Sequence, residues 1–395
     1  LVSPTKQFYH CFGCGAHGSA ISFLMEYSGL GYVDAIEELA RSAGLDVPRE
    51  ERTANDIAKQ QQAIALSEVM SSAADWYRQQ LKSSTRAIDY LKGRGLTGEI
   101  AKRYALGYAP DGWQGLEAVF GPYTNDDIAK ILVEGGLVIQ GEQPEGASSP
   151  QNVKRYDRFR DRVMFTIHSE SGKVIAFAGR TLQADLKGAK YINSPESELF
   201  HKSDVLYGLH LAKNTIIKED VCYLVEGYTD VISLYQAGIT NVVASCGTSL
   251  TEGHIKKIIR YTKNITVLFD GDAAGIKASL RSIEMILKQG MNVRVVLFPD
   301  GNDPDSYARK NDQGTIEHFL KTQAVDFVRF KTQLLLEEAG KDPLKRAELI
   351  KDIVQTIAII PDVIQREVYL QECSHLLNVS QESLIHQLNQ SLKKQ

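Results

Sequence analysis

The sequence lacks the features that mark membrane and disulfide-scaffold proteins. It contains no run approaching the roughly 18 to 20 consecutive apolar residues that a membrane helix needs. Only five of its 395 residues are cysteine, an odd and thinly spread number that argues against a disulfide framework and for a reducing compartment. Neither sign of charge dominates, since 45 Lys and Arg stand against 49 Asp and Glu. We therefore expect a cytoplasmic protein without membrane contact.

From the first residues we expect no signal peptide. Leu1-Val2-Ser3-Pro4 stands where a signal peptide would have a basic segment and an apolar core. Because the first residue is not methionine, we expect a piece of a longer protein. With 43% hydrophobic and 24% charged residues, the chain has ordinary globular composition and is long enough for two or three cores.

Hydrophobic periodicity changes along the chain. The apolar residues before Gly44 recur at helical spacing, and Gly44 is placed to end that helix. Two short apolar runs, 163–167 and 174–178, are bounded by turn residues and predict paired strands. From Cys222 to Phe298, strand-length apolar runs alternate with amphipathic helices. This alternation predicts a mostly parallel sheet with helices on its faces.

The C-terminal part of the chain is predicted to be wholly helical beyond about residue 315. Pro343 and Pro361 are expected to open helices, and Ser380 is a plausible N-cap. Stripes of Leu, Ile and Val indicate that these helices pack on the sheet or on one another.

Acidic residues follow three of the four predicted parallel strands. They are Glu226 and Asp230, then Asp270 and Asp272, then Asp303 and Asp305. The carboxyl ends of parallel strands meet at one edge of a sheet, and neighbouring carboxylates repel one another unless a divalent cation lies between them. Each motif alone is more often an ordinary turn, but their coincidence at one edge predicts a Mg²⁺ or Mn²⁺ site.

Cys11 and Cys14 have the spacing of half a tetrahedral zinc site. The missing half should be a second Cys or His pair, and the sequence contains none upstream. The alternative is a knuckle completed by His10 or His17, but His10 directly adjoins Cys11 and would bind with poor geometry. We expect zinc in the longer protein and an incompletely bound site in this chain.

Residues 151–215 contain 11 Lys and Arg against 7 Asp and Glu. Such an excess of positive charge is often found on solvated strand faces. Positive side chains beside an acidic metal site could also bind the phosphate backbone of a nucleic acid. Trp113, Tyr156 and Phe159 could stack on bases of a single strand, although most aromatic residues at such spacings belong to a core.

Two groups of motifs resemble known families. Glu226-Gly-Tyr-Thr-Asp230 followed by Asp270-Gly-Asp272 resembles the Toprim domain of primases, topoisomerases, some nucleases and RecR proteins. Seven further segments resemble, in the same order, the bacterial DnaG-type primases: Phe8–Gly18, Tyr90–Leu96, Tyr156–Phe165, Phe177–Arg180, Lys190–Pro195, Phe200–Gly208 and Ala244–Thr248.

The resemblance implies roles for individual residues. The metal site would comprise Glu226, Asp270, Asp272, Asp303 and Asp305, of which the first three would be catalytic. Nucleotide binding would fall to Arg94, Lys190, Lys202 and Asp230. The nucleic acid would lie on Arg158, Arg160, Arg162 and Arg180, with Trp113 as a stacking residue.

An α/β fold in four parts is expected. Residues 1–58 would be a zinc-ribbon remnant and linker, 59–215 a mixed α/β subdomain with the basic surface, 216–312 the Toprim subdomain and 313–395 a helical subdomain.

The activity implied is synthesis of short RNA primers on single-stranded DNA from ribonucleoside triphosphates, by metal-dependent nucleotidyl transfer. The partners would be the template, the ribonucleotides and the RNA–DNA hybrid product, bound by a monomeric core. The replicative helicase would bind a C-terminal domain that lies beyond this chain. A Toprim nuclease and a non-enzymatic RecR-like DNA-binding protein remain the alternatives.

Overall fold

The computed structural model describes residues 1–4, 7–13, 15–27, 32–45, 54–141, 154–183, 188–270, 273–299 and 301–393. The chain forms two compact units, Leu1–Gln62 and Ala63–Gln395. Each unit is described by itself below.

The first unit contains a small antiparallel sheet and two helices. Its elements are β1 (Val2–Ser3), β2 (Phe8–His10), β3 (His17–Gly18), α1 (Ala20–Tyr27) and α2 (Tyr32–Ala43). The Tyr9 and Phe23 rings meet edge to face at 5.3 Å and join the sheet to α1. Gly44 follows α2 with φ of +66°, a left-handed conformation that glycine adopts without a Cβ clash. The predicted helix end at Gly44 is confirmed.

The longest described helix, α3 (Ala54–Ser83), carries an apolar stripe. Leu66, Met70 and Tyr77 are buried at helical spacing, and exposed polar residues occupy other positions of the helix. Among the helices that the structure describes, none has the length and apolar character that a bilayer crossing needs.

Next in the chain come two small antiparallel sheets with their helices. The helices are α4 (Thr85–Gly93), α5 (Gly98–Arg103), α6 (Glu117–Phe120) and α7 (Asp126–Glu134). The strands are β4 (Gly107–Ala109), β5 (Val138–Gln140), β6 (Arg155–Asp157), β7 (Arg162–His168), β8 (Val174–Thr181) and β9 (Tyr191–Asn193). One sheet has the order β4-β7-β8-β9 and the other pairs β5 with β6. The predicted pairing of 163–167 with 174–178 is confirmed, with Phe165 opposite Ala178.

The large sheet has the order β10-β12-β11-β13-β14-β15 among the described strands. Its strands are β10 (Leu206–Tyr207), β11 (Cys222–Val225), β12 (Val242–Ser245), β13 (Asn264–Phe269), β14 (Asn292–Leu297) and β15 (Val325–Asp326). The four central strands are parallel, whereas β10 and β15 pair antiparallel at the two edges. Both edge strands lie outside residues 216–312.

Helices cover both faces of the large sheet. They are α8 (Leu209–Glu219), α9 (Tyr228–Gln236), α10 (Glu252–Ile258), α11 (Ala273–Lys288), α12 (Pro304–Lys310) and α13 (Gln313–Thr322). Successive residues of β11 enter different cores: Leu224 packs in the cluster that contains Ile283 of α11, and Val225 packs in the cluster that contains Val231 of α9. A strand buried on both faces explains the continuous apolar runs of the sequence and confirms the predicted mostly parallel sheet.

The C-terminal helices are α14 (Phe327–Ala339), α15 (Pro343–Ala358), α16 (Val363–Leu377) and α17 (Gln381–Leu392). Pro343 opens α15 and Ser380 caps α17, as predicted. Two expectations were wrong. Pro361 precedes the N-cap Asp362 instead of opening α16, and β15 interrupts the region expected to be wholly helical because its two residues complete the edge of the large sheet.

His168 and His210 form a partly buried pair that makes stability sensitive to acid. Their ring centroids lie 4.3 Å apart, between the end of β7 and the first turn of α8. Burial lowers the pKa of His168 to about 4, and burial together with the charges of His168 and Lys213 lowers the pKa of His210 to about 3.

We expect the free energy of unfolding to fall as the pH drops from about 6.5 toward 4, because the unfolded histidines take up protons that the folded pair cannot. Each histidine contributes up to about 1.4 kcal/mol per pH unit. Thermal unfolding between pH 7 and 5 measures the effect, and His210→Gln should lose less stability over this range than the unmodified chain. Equal losses would contradict the assignment.

Candidate active site and nucleic-acid interface

Acidic residues gather at the carboxyl edge of the parallel strands. Glu226 directly follows β11, Asp270 directly follows β13, and Asp303 caps α12 after β14. We call this the acidic edge; it comprises Glu226, Asp230, Asp270, Asp303 and Asp305. Asp272 lies outside the described residues. Strand order therefore places acids that are far apart in the sequence at one edge of the sheet.

Asp230 reports how closely these acids interact. Burial, followed by the negative charges of Asp270, Asp303 and Asp305, raises the pKa of Asp230 to about 7, while a hydrogen bond from the Gly227 N–H opposes the shift. A Cβ on Gly227 would lie 2.7 Å from Asp230 Oδ2, so any other residue at this position would displace the Asp230 carboxylate. Mutual repulsion of this kind is what a bound divalent cation relieves.

Asp303 has a second role as a helix cap. Its Oδ1 accepts a hydrogen bond of 2.7 Å from Ser306 N at the start of α12. Burial alone would raise the pKa of Asp303, but hydrogen bonds from Ser306 and the charges of Arg309 and Arg94 lower it on balance. The carboxylate is thus ionised and fixed by the helix that follows β14.

Asp305 is enclosed by protein donors. Its side chain is only 2% exposed; Oδ2 accepts from Arg94 Nη1 at 2.7 Å and lies 3.3 Å from Arg309 Nη2. Its Oδ1 accepts from Ser233 Oγ at 2.5 Å. This carboxylate therefore already has a full set of partners on both oxygens.

The donor set suits a hard divalent cation. Glu226 and Asp270 are exposed at strand ends, and Glu226 also borders a pocket of about 400 Å³ between the sheet and α11. Carboxylate oxygens without cysteine or histidine are the ligands that Mg²⁺ and Mn²⁺ prefer. Within the described ranges, no group of three or more His, Cys, Asp or Glu side chains is arranged so that it could hold a metal ion.

Two arginines lie against tyrosine rings beside the acidic edge. The guanidinium carbons of Arg94 and Arg180 lie 5.8 Å and 4.7 Å from the centroid of Tyr90, and Arg180 also contacts Tyr191 at 5.8 Å. Burial raises the pKa of Tyr191, and the nearby charges of Arg180 and Arg94 oppose that shift. Arg180 Nε and Nη1 are buried with no hydrogen-bond partner among the described residues. The arrangement can accept an anionic phosphate.

The two predicted lysines differ in setting. Lys190 is exposed immediately before β9. Lys202 is partly buried, and its charge acts on the thiol of Cys246, which directly follows β12. Lys202 is therefore near the carboxyl end of a parallel strand, whose ends form the edge that carries the acids.

The segment between β6 and β7, Arg158–Asp161, is called the basic loop below. Arg160 lies over the rings of Trp113 at 4.1 Å and Tyr156 at 5.2 Å, and Trp113 is 63% exposed. An exposed aromatic ring with a stacked guanidinium is suited to bases and phosphates of a single strand.

Three other residues of the predicted interface differ from expectation. Phe159 is buried in the core and cannot stack on a base. Arg158 donates to Asn193 O at 3.1 and 3.0 Å, and Arg162 donates to Gly179 O at 3.0 Å. Burial lowers the pKa of both arginines. Both guanidinium groups hold main-chain carbonyls, which a sequence count of positive charge does not reveal.

Tyr90 and Tyr191, which contact the arginines, were not singled out from the sequence. Each stands near a residue that was singled out: Tyr90 opens the segment Tyr90–Leu96, which contains Arg94, and Tyr191 directly follows Lys190. Their positions in the primase-like segments were the available indication.

In the first unit, Cys11 is exposed directly after β2. Cys14 lies outside the described residues. His10 and His17 face each other across β2 and β3, with ring centroids 5.9 Å apart, and His10 Nδ1 is buried without a hydrogen-bond partner among the described residues. Thiol and imidazole groups at one turn are chemically suited to zinc.

Comparison with protein families accounts for most of the chain. The family described as "CHC2 zinc finger" matches residues 1–55, "DNA primase catalytic core, N-terminal domain" matches 76–213, and "Toprim-like" matches 223–308. The first match implies zinc, and the third implies a divalent metal.

A fourth match corrects the expectation for the helicase. We expected the helicase-binding domain to lie beyond this chain, and this is wrong. The family described as "DnaB-helicase binding domain of primase" matches residues 328–382, which span α14 to α16. The apolar stripes of these helices predicted packing but carried no indication of a partner.

Similar proteins agree with these matches. The DNA primase of Pseudomonas aeruginosa is 41% identical over 392 residues, which cover 97% of this chain and 57% of that protein. The crystal structure of a DNA primase domain from Pseudomonas aeruginosa has a TM-score of 0.72 at 39% identity and covers 82% of this chain and 99% of that domain. A DnaG primase catalytic domain bound to single-stranded DNA has a TM-score of 0.71 at 33% identity, with the same coverage. The chain thus spans little more than half the length of the first of these proteins, and it belongs to the family of bacterial DnaG-type DNA primases.

Proposed function

We propose that this chain is the primer-synthesising core of a DNA primase. It joins ribonucleoside triphosphates into short RNA on a single-stranded DNA template and releases pyrophosphate at each step. The observation that carries the proposal is the acidic edge, where the charges of Asp270, Asp303 and Asp305 act together on Asp230. Such a cluster is costly unless it binds cations.

Glu226, Asp270, Asp272 and Asp303 would hold Mg²⁺ or Mn²⁺. When bound, the cation favours ionisation of the primer 3′ hydroxyl and neutralises charge on the departing pyrophosphate. The 3′ oxygen bonds to the α-phosphorus of the incoming nucleotide as the bond to pyrophosphate breaks, and the hydroxyl proton passes to solvent. The acidic residues need no raised pKa for this role.

The basic and aromatic residues would position the two substrates. Arg94, Lys190 and Lys202 would take the triphosphate. Arg180, predicted from the sequence to bind nucleic acid, would join them, because it shares the Tyr90 ring with Arg94, which contacts Asp305 of the acidic edge. Arg160 on Trp113 would hold the template by stacking and charge. Arg158 and Arg162 would support this surface through main-chain carbonyls.

The chain would divide into four parts, with boundaries after residues 58, 215 and 312. Cys11 and Cys14 would supply two of the four ligands that structural zinc needs, and binding would require further ligands. The match over 328–382 supports a helicase contact through the C-terminal helices.

Short RNA is the expected product when the chain is mixed with single-stranded DNA, four ribonucleotides and Mg²⁺ or Mn²⁺. Omission of the metal should abolish synthesis, because the acidic edge then repels the triphosphate. Labelled products are resolved on a denaturing gel. Cleaved DNA without RNA would indicate a nuclease instead, and DNA binding without either reaction would indicate a binding protein.

A further inference from the structure

Two buried acids lie within the most basic segment of the chain. Asp157 and Asp161 are 3% and 2% exposed, and they alternate with Arg158, Arg160 and Arg162. A negative charge beside a phosphate-binding surface weakens electrostatic attraction. Their presence there therefore calls for a role other than contact with nucleic acid.

Asp161 ties the basic loop to helix α4 and strand β4. Arg86 Nη1 lies 2.9 Å from both carboxylate oxygens, and Tyr108 Oη donates to Oδ1 at 2.9 Å. Burial and the hydrogen bond to Asp161 raise the pKa of Tyr108 to about 12, so the hydroxyl remains a donor at physiological pH. Arg86 Nη2 also donates to Leu182 O at 2.8 Å.

The main chain of Asp161 is held as firmly as its side chain. Its N–H donates to Pro110 O, and its carbonyl accepts from Leu182 N, both at 3.2 Å. Its φ is +48°, a left-handed conformation that aspartate tolerates better than most residues other than glycine and asparagine. One residue thus connects four separate segments of the chain.

Arg160, the neighbour of Asp161, makes the stack with Trp113. Its position over the Trp113 and Tyr156 rings depends on the path of the basic loop, which ends at Asp161. Its guanidinium also donates to the carbonyl of Asp157, the residue before the loop. Asp157 in turn accepts from Leu116 N at 3.1 Å, close in sequence to Trp113.

We propose that Asp161 is a positioning residue of the template surface, whose buried carboxylate fixes the basic loop so that Arg160 stays stacked on Trp113. This role rests on the proposed function, because it assumes that the surface around Arg160 and Trp113 binds single-stranded DNA. Asp161 itself touches no nucleic acid. It acts through Arg160, and removal of its charge would release the loop without removing any group that contacts the template.

The test compares Asp161→Asn, Arg160→Ala and the double variant, all in a Trp76→Phe background. Trp113 is then the sole tryptophan, because the chain has two. Affinity for a labelled oligodeoxythymidine is measured by anisotropy, and quenching of Trp113 fluorescence by acrylamide reports the stack. We expect Asp161→Asn to weaken binding about tenfold, as loss of one stacked contact would, and to increase quenching. The double variant should bind no more weakly than Arg160→Ala alone.

Controls separate positioning from general instability. Glu284→Gln removes one of the two carboxylates that pair with the buried Lys331, the one at 2.8 Å, in a distant part of the fold. It should lower stability and leave DNA affinity unchanged. Arg86→Met breaks the same contact by removing the guanidinium of Arg86, which is half-exposed. It should weaken DNA binding in the same way as Asp161→Asn, and it serves as the test if Asp161→Asn fails to fold.

Unchanged affinity in both Asp161→Asn and Arg86→Met, or additive losses in the double variant, would overturn the role of Asp161 and leave the proposed function intact. Failure of the unmodified chain to bind single-stranded DNA would instead overturn the proposed function and this proposal with it.

Discussion

Glu226→Gln is expected to lower primer synthesis by about 10²–10³-fold while leaving the fold and single-stranded DNA binding unchanged. Glu226 directly follows β11 with an exposed carboxylate at the acidic edge, and it forms no ion pair with the residues that the structure describes. The substitution keeps the size of the side chain but removes one negative charge from the metal ligands. Loss of several kcal/mol of transition-state stabilisation corresponds to this change in rate.

Glu219→Gln is the matched control for Glu226→Gln. Glu219 lies at the end of α8, before β11 begins, and so at the opposite edge of the same sheet. This variant should make RNA at the rate of the unmodified chain. Calorimetric titration with Mn²⁺ should show weaker binding only in Glu226→Gln. RNA synthesis and Mn²⁺ affinity that are both unaffected by Glu226→Gln would contradict the assignment of the acidic edge.

The acidic edge could be predicted because each of its residues is located by the end of a nearby strand, which the sequence marks. Each strand is marked by a short apolar run, and parallel order places the residues after Val225 and Phe269 at one edge whatever the length between them. The two edge strands were missed because β10 and β15 have two residues each. Such short segments are defined by the neighbour with which they pair, and periodicity does not detect them.

The partners of the site residues could not be predicted. Arg94 and Asp305 are 211 residues apart, and their contact depends on how α4 and α12 meet in the folded chain. Burial likewise decides that Arg162 serves main-chain carbonyls, whereas Arg160, two residues earlier, stacks on Trp113. Both arginines belong to the same run of alternating residues, so their spacing in the sequence does not show which side chain is buried. Cys14 and Asp272, both expected to bind metal, lie outside the described residues.

Asp305→Asn is expected to destabilise the protein by about 3–5 kcal/mol and to weaken nucleotide binding. Its carboxylate neutralises Arg94 and Arg309 in a nearly inaccessible position. Removal of one member of a buried ion pair leaves uncompensated charge, which costs far more than the pair itself contributes. Arg94 would then lose the contact that holds it beside the acidic edge. Chemical denaturation and fluorescent-nucleotide titration measure the two effects.

Mn²⁺ affinity then distinguishes an ion-pair anchor from a metal ligand. Because Arg94, Arg309 and Ser233 already occupy both oxygens of Asp305, we expect Asp305→Asn to retain most of the Mn²⁺ affinity that Asp303→Asn loses. A cycle with Arg94→Met should show strong coupling, since each variant breaks the same contact. Equal loss of Mn²⁺ affinity in Asp305→Asn and Asp303→Asn would make Asp305 a ligand. The Arg94 contact would then have to open when metal binds.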